Sequence, residues 1–260
     1  MTQLSINLNK IALIRNSRET QYPDPCEFAI AALQAGAHSI TVHPRPDQRH
    51  IRAEDCYRLS KLESRQSGVS AHIELNIEGN PFAAPEVSNR AGVTDYPGFM
   101  SLIETIRPHQ VTLVPDGADQ LTSDHGFDIE QDGERLLPII DTIKGWGCRV
   151  SLFMDPLPAQ IELVSALGAD RIELYTEAYA RAHERGEHTA VLAQFQEAAA
   201  VAAQHGLGIN AGHDLNVENL SEFLIPELLE VSIGHAFTID ALRYGIFEAT
   251  RRYLEVLGPS

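Results

Sequence analysis

Hydrophobic positions along this chain come in short bursts of two kinds, and the two kinds alternate. The first kind is rich in β-branched residues and reads as strand: Leu4-Ser5-Ile6-Asn7-Leu8, Ser39-Ile40-Thr41-Val42, Ser70 to Leu75, Gln110 to Val114, Arg149 to Phe153, Arg171 to Tyr175, Gly208 to Ala211 and Glu230 to Ile233. The second kind is longer and reads as helix: Glu27 to Ala35, Ala53 to Ser64, Phe99 to Ile106, Leu136 to Trp146, Pro158 to Leu167, Val191 to His205, Val217 to Leu224 and Phe237 to Val256. Glycine stands just past four of these, as Gly36, Gly147, Gly168 and Gly206, where a helix is expected to stop. Strand and helix alternate through the whole chain with no break in composition. The pattern predicts an α/β protein, a single-domain (β/α)8 TIM barrel over residues 1–260, with its site at the C-terminal ends of the strands. A doubly wound open sheet is the alternative, and the lack of a GxGxxG at the first strand–helix turn weighs against its dinucleotide-binding form.

Two stretches break the rhythm. Residues 80–98 hold Pro81, Pro85, Pro97, Gly92 and Gly98 and carry no sustained period, so they read as a long loop after the third strand. A second polar loop runs from Asp116 to Gly133.

Composition narrows the partners. The 260 residues carry 20 Lys+Arg against 36 Asp+Glu, a formal charge of −16, which argues against nucleic-acid or anionic-membrane binding. Any anion must then be held by a local concentration of basic groups. The cysteines Cys26, Cys56 and Cys148 are widely spaced and form no CxxC, so neither a disulfide nor a zinc site is expected and a reducing cytoplasm is the default. The first residues lack the charged-then-apolar pattern of a secretory leader. No apolar run approaches the ~18 residues of a membrane span.

The candidate chemistry lies at the expected strand ends. Strand one ends near Asn7, Asn9 and Lys10. Strand two stops at Pro44 and gives His43, Arg45, Arg49 and His50. Strands three and six carry Glu74 and Glu173, strand seven leads into Gly212-His213, and strand eight into Gly234-His235. A carboxylate within an apolar strand needs a partner or a task, and a raised pKa would let it act as acid and base by turns. Glycine after the last two strands lets backbone N–H groups approach an anion. His72 reads as structural, and His183, His188 and His205 as solvated surface groups.

Taken together these segments resemble the pyridoxine 5′-phosphate synthase family. The resemblance is carried by Ile6-Asn7-Leu8-Asn9, Arg15-Asn16-Ser17-Arg18, Tyr22-Pro23-Asp24-Pro25, Ile40 to Arg45, Asp47 to Ile51, Ile73-Glu74, Leu113-Val114-Pro115, Ile172-Glu173, Asn210 to His213 and Ile233 to Ala236. It implies condensation of two phosphorylated small molecules, 1-deoxy-D-xylulose 5-phosphate and 3-amino-2-oxopropyl phosphate, to pyridoxine 5′-phosphate, phosphate and water. It implies no metal and no organic cofactor, a cytoplasmic location and a homo-octamer. By resemblance Glu74 is the main proton shuttle, assisted by His43, Glu173 and His213. Arg18, His43, Arg45 and His50 hold one substrate and its phosphate, Gly234 and His235 the other phosphate, and Asn7 the forming ring. Thr122 and Ser123 sit in a loop that closes over the site. The chain departs from the family at Asn9-Lys10, where Asp-His is usual, and at Asp214, where a small glycine is usual. Another phosphosugar lyase or aldolase using Lys10 as a Schiff base, and a non-catalytic phosphate-ligand binder, stay open as alternatives.

Overall fold

In the computed structural model, which describes residues 2–18, 20–62, 74–117 and 120–258, eight parallel strands pair in chain order and close into a barrel. The strands are β1 Gln3–Asn7, β2 Ser39–Val42, β3 Glu74–Gly79, β4 Gln110–Leu113, β5 Arg149–Met154, β6 Arg171–Tyr175, β7 Gly208–Gly212 and β8 Leu228–Ile233. The barrel shuts where β8 pairs with β1, Ser232 beside Ser5 and Ile233 beside Ile6.

Each strand alternates apolar and polar residues, and the alternation sorts them to two faces. Leu4, Ile6, Ile40, Val42, Ile77, Val111, Leu113, Val150, Leu152, Ile172, Leu174, Ile209 and Val231 belong to the continuous core between barrel and helices. The other parity points inward and is mostly polar, with Phe153 and Tyr175 as its aromatic members near the mouth. Ser5 Oγ and Thr41 Oγ1 lie 2.7 Å apart, Asn76 Nδ2 donates to Thr41 Oγ1 at 3.3 Å, and Thr112 Oγ1 reaches Asn76 Oδ1 at 3.1 Å and Glu173 Oε2 at 3.3 Å. Below this belt, Glu230 accepts from Ser39 Oγ at 2.8 Å and from Asn210 Nδ2 at 3.3 Å. Barrels of this type usually fill their interior with branched apolar side chains; here a hydrogen-bonded lattice partners most of the inward polar groups, Ser151 Oγ being buried with no partner among the described residues.

The helices are α1 Asn9–Asn16, α2 Pro25–Gln34, α3 Ala53–Leu59, α4 Phe99–Ile106, α5 Ile129–Gly145, α6 Pro158–Val164, α7 Glu177–Glu184, α8 His188–Gln204, α9 Val217–Leu220, α10 His235–Tyr244 and α11 Ile246–Leu257. Several differ from the sequence reading. Helix α5 begins well before Leu136, because Asp128 caps it by accepting from Gln131 N. The expected closing helix is two helices, divided at Gly245, whose φ of 82° cannot continue a helix. Helices α1 and α7 were not expected at all, and α9 stops at Leu220 rather than Leu224. The 80–98 loop is partly ordered by an antiparallel bridge between Glu86 and Tyr96, with the Tyr96 ring buried beneath it.

The largest correction concerns β3. The described strand spans Glu74–Gly79 and runs on past Leu75, where the sequence reading ended it, so Glu74 opens the described strand instead of standing one residue before its end. His72 and the expected start of that strand, like the end of the helix reaching Ser64, lie outside the described residues. The three cysteines are free and buried, and among the described residues no helix is long and apolar enough to cross a membrane.

Candidate active site

A cavity of about 300 Å³ opens at the C-terminal ends of the strands, a size suited to a small metabolite. It is lined by Asn7, Asn9 and Lys10 from the β1 end, by His43, Arg45 and His50 after β2, and by Glu78 of β3. The loop after β4 adds Thr122 and Ser123, and β5 and β6 add Phe153 and Glu173. His213 and Asp214 follow β7, and Ser232, Gly234 and His235 complete the ring. Asn7, His43, Arg45, His50, Thr122, Glu173, His213, Gly234 and His235, expected from sequence at one site, are thus brought around one space.

Glu74 and Arg18 are not. Glu74 sits at the opposite mouth of the barrel, paired with Arg149 at 2.7 Å; partial burial raises its carboxyl, but the hydrogen bond and charge of Arg149, with Arg171 and His109, together hold it below the ordinary range. Its place is taken by Glu78, two inward positions further along the same strand. Arg18 is exposed beyond the end of α1. That helix begins at the cavity and runs outward for about 12 Å at 1.5 Å per residue, which carries Arg18 away from the site.

Glu78 is the centre of the pocket's electrostatics. Asn7 Nδ2 donates to its Oε2 at 3.4 Å, and His43 Nδ1 lies 3.9 Å from the same oxygen. Burial, followed by the fields of Glu173, Asp116 and Glu230, pushes its carboxyl well above the usual range, which favours its protonated form. Glu173, one layer deeper, is pushed to about 8 by burial and by Glu230. Two buried carboxyls, both shifted toward the protonated form, therefore stand one above the other inside the barrel.

The histidines of the β2 end respond to the opposite sign. Burial first, then the field of Arg45, lowers both; His43 falls well below its ordinary value and His50 to about 3, with Lys10 and Arg49 adding to the effect on His50 and Arg49 to that on His43. Both rings are neutral at pH 7. His50 Nδ1 accepts from Ile51 N at 2.9 Å, which leaves Nε2 to carry the proton. The loop is braced from behind by Arg15, buried against Asp55 at 2.6 Å and donating to His50 O at 3.0 Å.

Asp116 was missed in the sequence. It forms an ion pair with Arg45, accepts from Ser123 Oγ at 2.9 Å and lies 3.8 Å from His43 Nε2. Its other oxygen, Oδ1, is buried and has no partner among the described residues. Burial raises its carboxyl, with Arg45 opposing. The departures also find places. Asn9 Oδ1 accepts from His43 N at 2.9 Å, fixing the start of the cationic loop. Asp214 lies 3.1 Å from His213 Nδ1, while His213 Nε2 lies 3.0 Å from Thr122 Oγ1. Both His213 and Asp214 have positive φ, 85° and 59°, and this tight reversal aims the ring across the cavity.

Two helices, α1 and α10, begin at the cavity; at the start of α1 Asn9 N donates to Asn7 Oδ1 at 3.0 Å, whereas α10 has no side-chain cap at its N-terminus. Gly234 keeps α10 close to β1, since a Cβ there would lie 3.3 Å from Asn7 Cβ. Gly212 is required more strictly, because a Cβ would come within 2.4 Å of Glu173 Oε1.

A signal for Glu78 was present. Leu75 and Ile77 put Glu74, Asn76 and Glu78 on one face, and Gly79-Asn80-Pro81 marks the strand's end. Of the histidines expected on solvated segments, His205 is exposed, but His183 and His188 are half-buried against the ring of Tyr179.

Comparison with known proteins follows the same direction. Residues 4–258 match the family described as pyridoxal phosphate biosynthesis protein PdxJ. A relative from Xanthomonas campestris pv. campestris (strain B100), named pyridoxine 5′-phosphate synthase, is 56% identical over 258 residues, 98% of this chain and 96% of that one. A relative of the same name from Xylella fastidiosa (strain M23) is 54% identical, covering 98% and 95%. Among solved structures, KGPDC from Streptococcus mutans superposes with a TM-score of 0.62 at 9% identity, over 98% of this chain and 97% of that one, a likeness of fold alone.

Proposed function

We infer the chemistry of the pocket from the premise that this chain belongs to the PdxJ family of pyridoxal phosphate biosynthesis proteins, and that it is an enzyme forming pyridoxine 5′-phosphate. The substrates in this reading are 1-deoxy-D-xylulose 5-phosphate and 3-amino-2-oxopropyl phosphate, and the products pyridoxine 5′-phosphate, inorganic phosphate and water. The observation that carries the mechanism is Glu78, a buried carboxyl shifted toward its protonated form and held between Asn7 and His43, in a cavity that also presents Lys10, Arg45 and several N–H donors.

The reaction needs an amine to add to a ketone, water and phosphate to leave, and a carbon–carbon bond to close the ring. Each step moves a proton at carbon, nitrogen or oxygen. Glu78 supplies a proton to a departing hydroxyl and, once ionised, removes one from carbon; the nearby acids that keep it protonated also make it a strong base after it has given the proton up. His43, neutral and 3.9 Å away, relays that proton. Glu173 is a second buried acid beneath it. His213, aligned by Asp214 and Thr122, faces the substrate from the β7 side. Asp116 Oδ1, buried and unpartnered among the described residues, is a ready acceptor for a substrate amine or hydroxyl.

In this reading one phosphate lies against the β2 loop, where Arg45 and Lys10 supply positive charge and the neutral His50 ring offers its Nε2–H as a donor. The other is placed at Gly234 and the N-terminus of α10, with His235 beside it. Thr122 and Ser123 belong to the loop that covers the bound substrates. Exclusion of water strengthens each of these contacts. In this reading the whole chain, 1–260, acts as one barrel domain in the cytoplasm and assembles as a homo-octamer. The exposed Leu242, Tyr244 and Phe247, at the α10–α11 corner, support an interface between copies there.

The test is turnover of both substrates, followed by pyridine absorbance and phosphate release. Glu78→Gln should lower kcat by about 10²–10⁴-fold, as expected for loss of a general acid–base, while Glu74→Gln stays within a few-fold of wild type. The reverse order would place the proton shuttle at the wrong end of the barrel.

A further inference from the structure

Outside the barrel mouth, three side chains from three separate segments converge on one point. His183 lies near the end of α7, His188 opens α8, and Glu222 follows α9. His183 Nε2 is 3.4 Å from Glu222 Oε1, and His188 Nε2 is 2.9 Å from Glu222 Oε2. One donor atom from each falls within 4.8 Å of the others. None of the three lines the active-site cavity.

We propose that His183, His188 and Glu222 bind a divalent transition-metal cation of the Zn²⁺ class, as a structural site on the outer wall. Two imidazoles and a carboxylate suit zinc, nickel or cobalt rather than magnesium or calcium, which prefer oxygen. For ligands about 2.0–2.1 Å from a tetrahedral ion, donor atoms stand roughly 3.3 Å apart. The observed 2.9 and 3.4 Å run to the two different oxygens of Glu222, and one donor from each residue lies within 4.8 Å of the others, so an ion entering between them draws the three donors together over a short distance. The rings are held in place beforehand. Their centroids are 4.8 Å apart, and both pack on Tyr179, at 6.0 and 5.8 Å. Tyr179 is fully buried and its hydroxyl donates to Asn219 O at 2.7 Å, so it positions the imidazoles and is not itself a ligand.

Two features bound the strength of the site. Three protein ligands leave a fourth position to water. His188 Nδ1 is buried with no partner among the described residues, so no second hydrogen bond fixes that ring's tautomer. Both make the site weaker than a closed four-ligand one. Its effect is a tether joining the α7–α8 corner to the segment after α9. Asn219, on α9, donates from its side-chain amide to Asp214 O at 3.0 Å, so the tethered segment is the one that supports the residue beside His213.

Tag-free wild-type protein, stripped with chelator and dialysed, is titrated with Zn²⁺ by calorimetry and with Co²⁺ by visible absorption. The expected result is one ion per chain, a Co²⁺ spectrum of low-symmetry nitrogen–oxygen ligation, and a melting temperature that rises with Zn²⁺. His188→Ala and Glu222→Gln should each weaken binding at least about tenfold, and His183→Ala/His188→Ala should abolish both the spectrum and the thermal shift. His205→Ala, at an exposed histidine elsewhere, should change neither. Failure of the wild type to take up either ion overturns the proposal. Uptake that survives in the double variant does so as well, by placing the ion on the histidines of the cavity.

Discussion

Replacing Glu173 by glutamine should remove a pH-dependent penalty from the folded protein. The carboxyl is wholly enclosed, accepts from Thr112 Oγ1 at 3.3 Å, and is pushed to about 8 by burial and Glu230. In the unfolded chain the same group titrates near 4.5. Below that value both states hold the proton and there is no difference between them. As pH rises, the unfolded chain ionises while the folded protein keeps its proton, so folding becomes progressively less favourable up to about 8 and levels off beyond it. At about 1.4 kcal/mol per pH unit, the two units from pH 5 to pH 7 amount to about 3 kcal/mol. Glutamine cannot ionise and can still accept the Thr112 hydrogen bond, so Glu173→Gln lacks this slope. For a chain of this length about 3 kcal/mol corresponds to roughly 6 °C in Tm. Scanning calorimetry of both proteins across pH 5–8 should therefore show the variant's Tm gaining on wild type by about that amount. A Tm difference that stays constant across the range would mean Glu173 is ionised in the folded state, and its assignment as a buried acid would fail.

Three further outcomes follow from the geometry. Arg45→Ala removes the pocket's guanidinium and leaves Asp116 without its ion-pair partner; KM should rise roughly 10–100-fold, the worth of a charge-assisted hydrogen bond, and steady-state kinetics showing less than a twofold change would refute the phosphate assignment. Gly234→Ala brings a methyl group to 3.3 Å from Asn7 Cβ at the start of α10; product affinity by calorimetry should drop at least about tenfold with Tm nearly unchanged, and the opposite pattern would show the glycine to serve packing alone. Arg15→Ala strands Asp55, buried and otherwise bidentately paired; urea unfolding should report a loss of about 3–5 kcal/mol, and a loss under about 1 kcal/mol would refute the bracing role.

Much of the site was legible because its residues are pinned by local chemistry. Pro44 ends β2, so His43 and Arg45 had to lie just past a strand. Gly212-His213 and Gly234-His235 mark the ends of β7 and β8 in the same way. Glu173 sits in an unbroken apolar strand with no ambiguity of bounds. Glu78 failed for the opposite reason. The β3 region offers a long run of strand-compatible residues, and its apparent beginning drew attention from its end, so Glu74 was taken for the inward carboxyl at the mouth. Asp116 could not be found by periodicity, since it lies in a loop whose path is set by Arg45 and Ser123.

The sequence by itself determined the order of strands and helices, because propensity, alternation and glycine or proline stops act over a few neighbouring residues. It also determined which parity of each strand is apolar, and hence that a barrel closed from these strands has a polar lumen. Only the tertiary structure decided the register of one strand against the next, since hydrogen bonds between distant segments set it. Register alone places Glu78 beside Asn7 and His43 and sends Glu74 to Arg149 at the far mouth. The same long-range closure brings His183, His188 and Glu222 together from three elements, which nothing in their spacing along the chain could show.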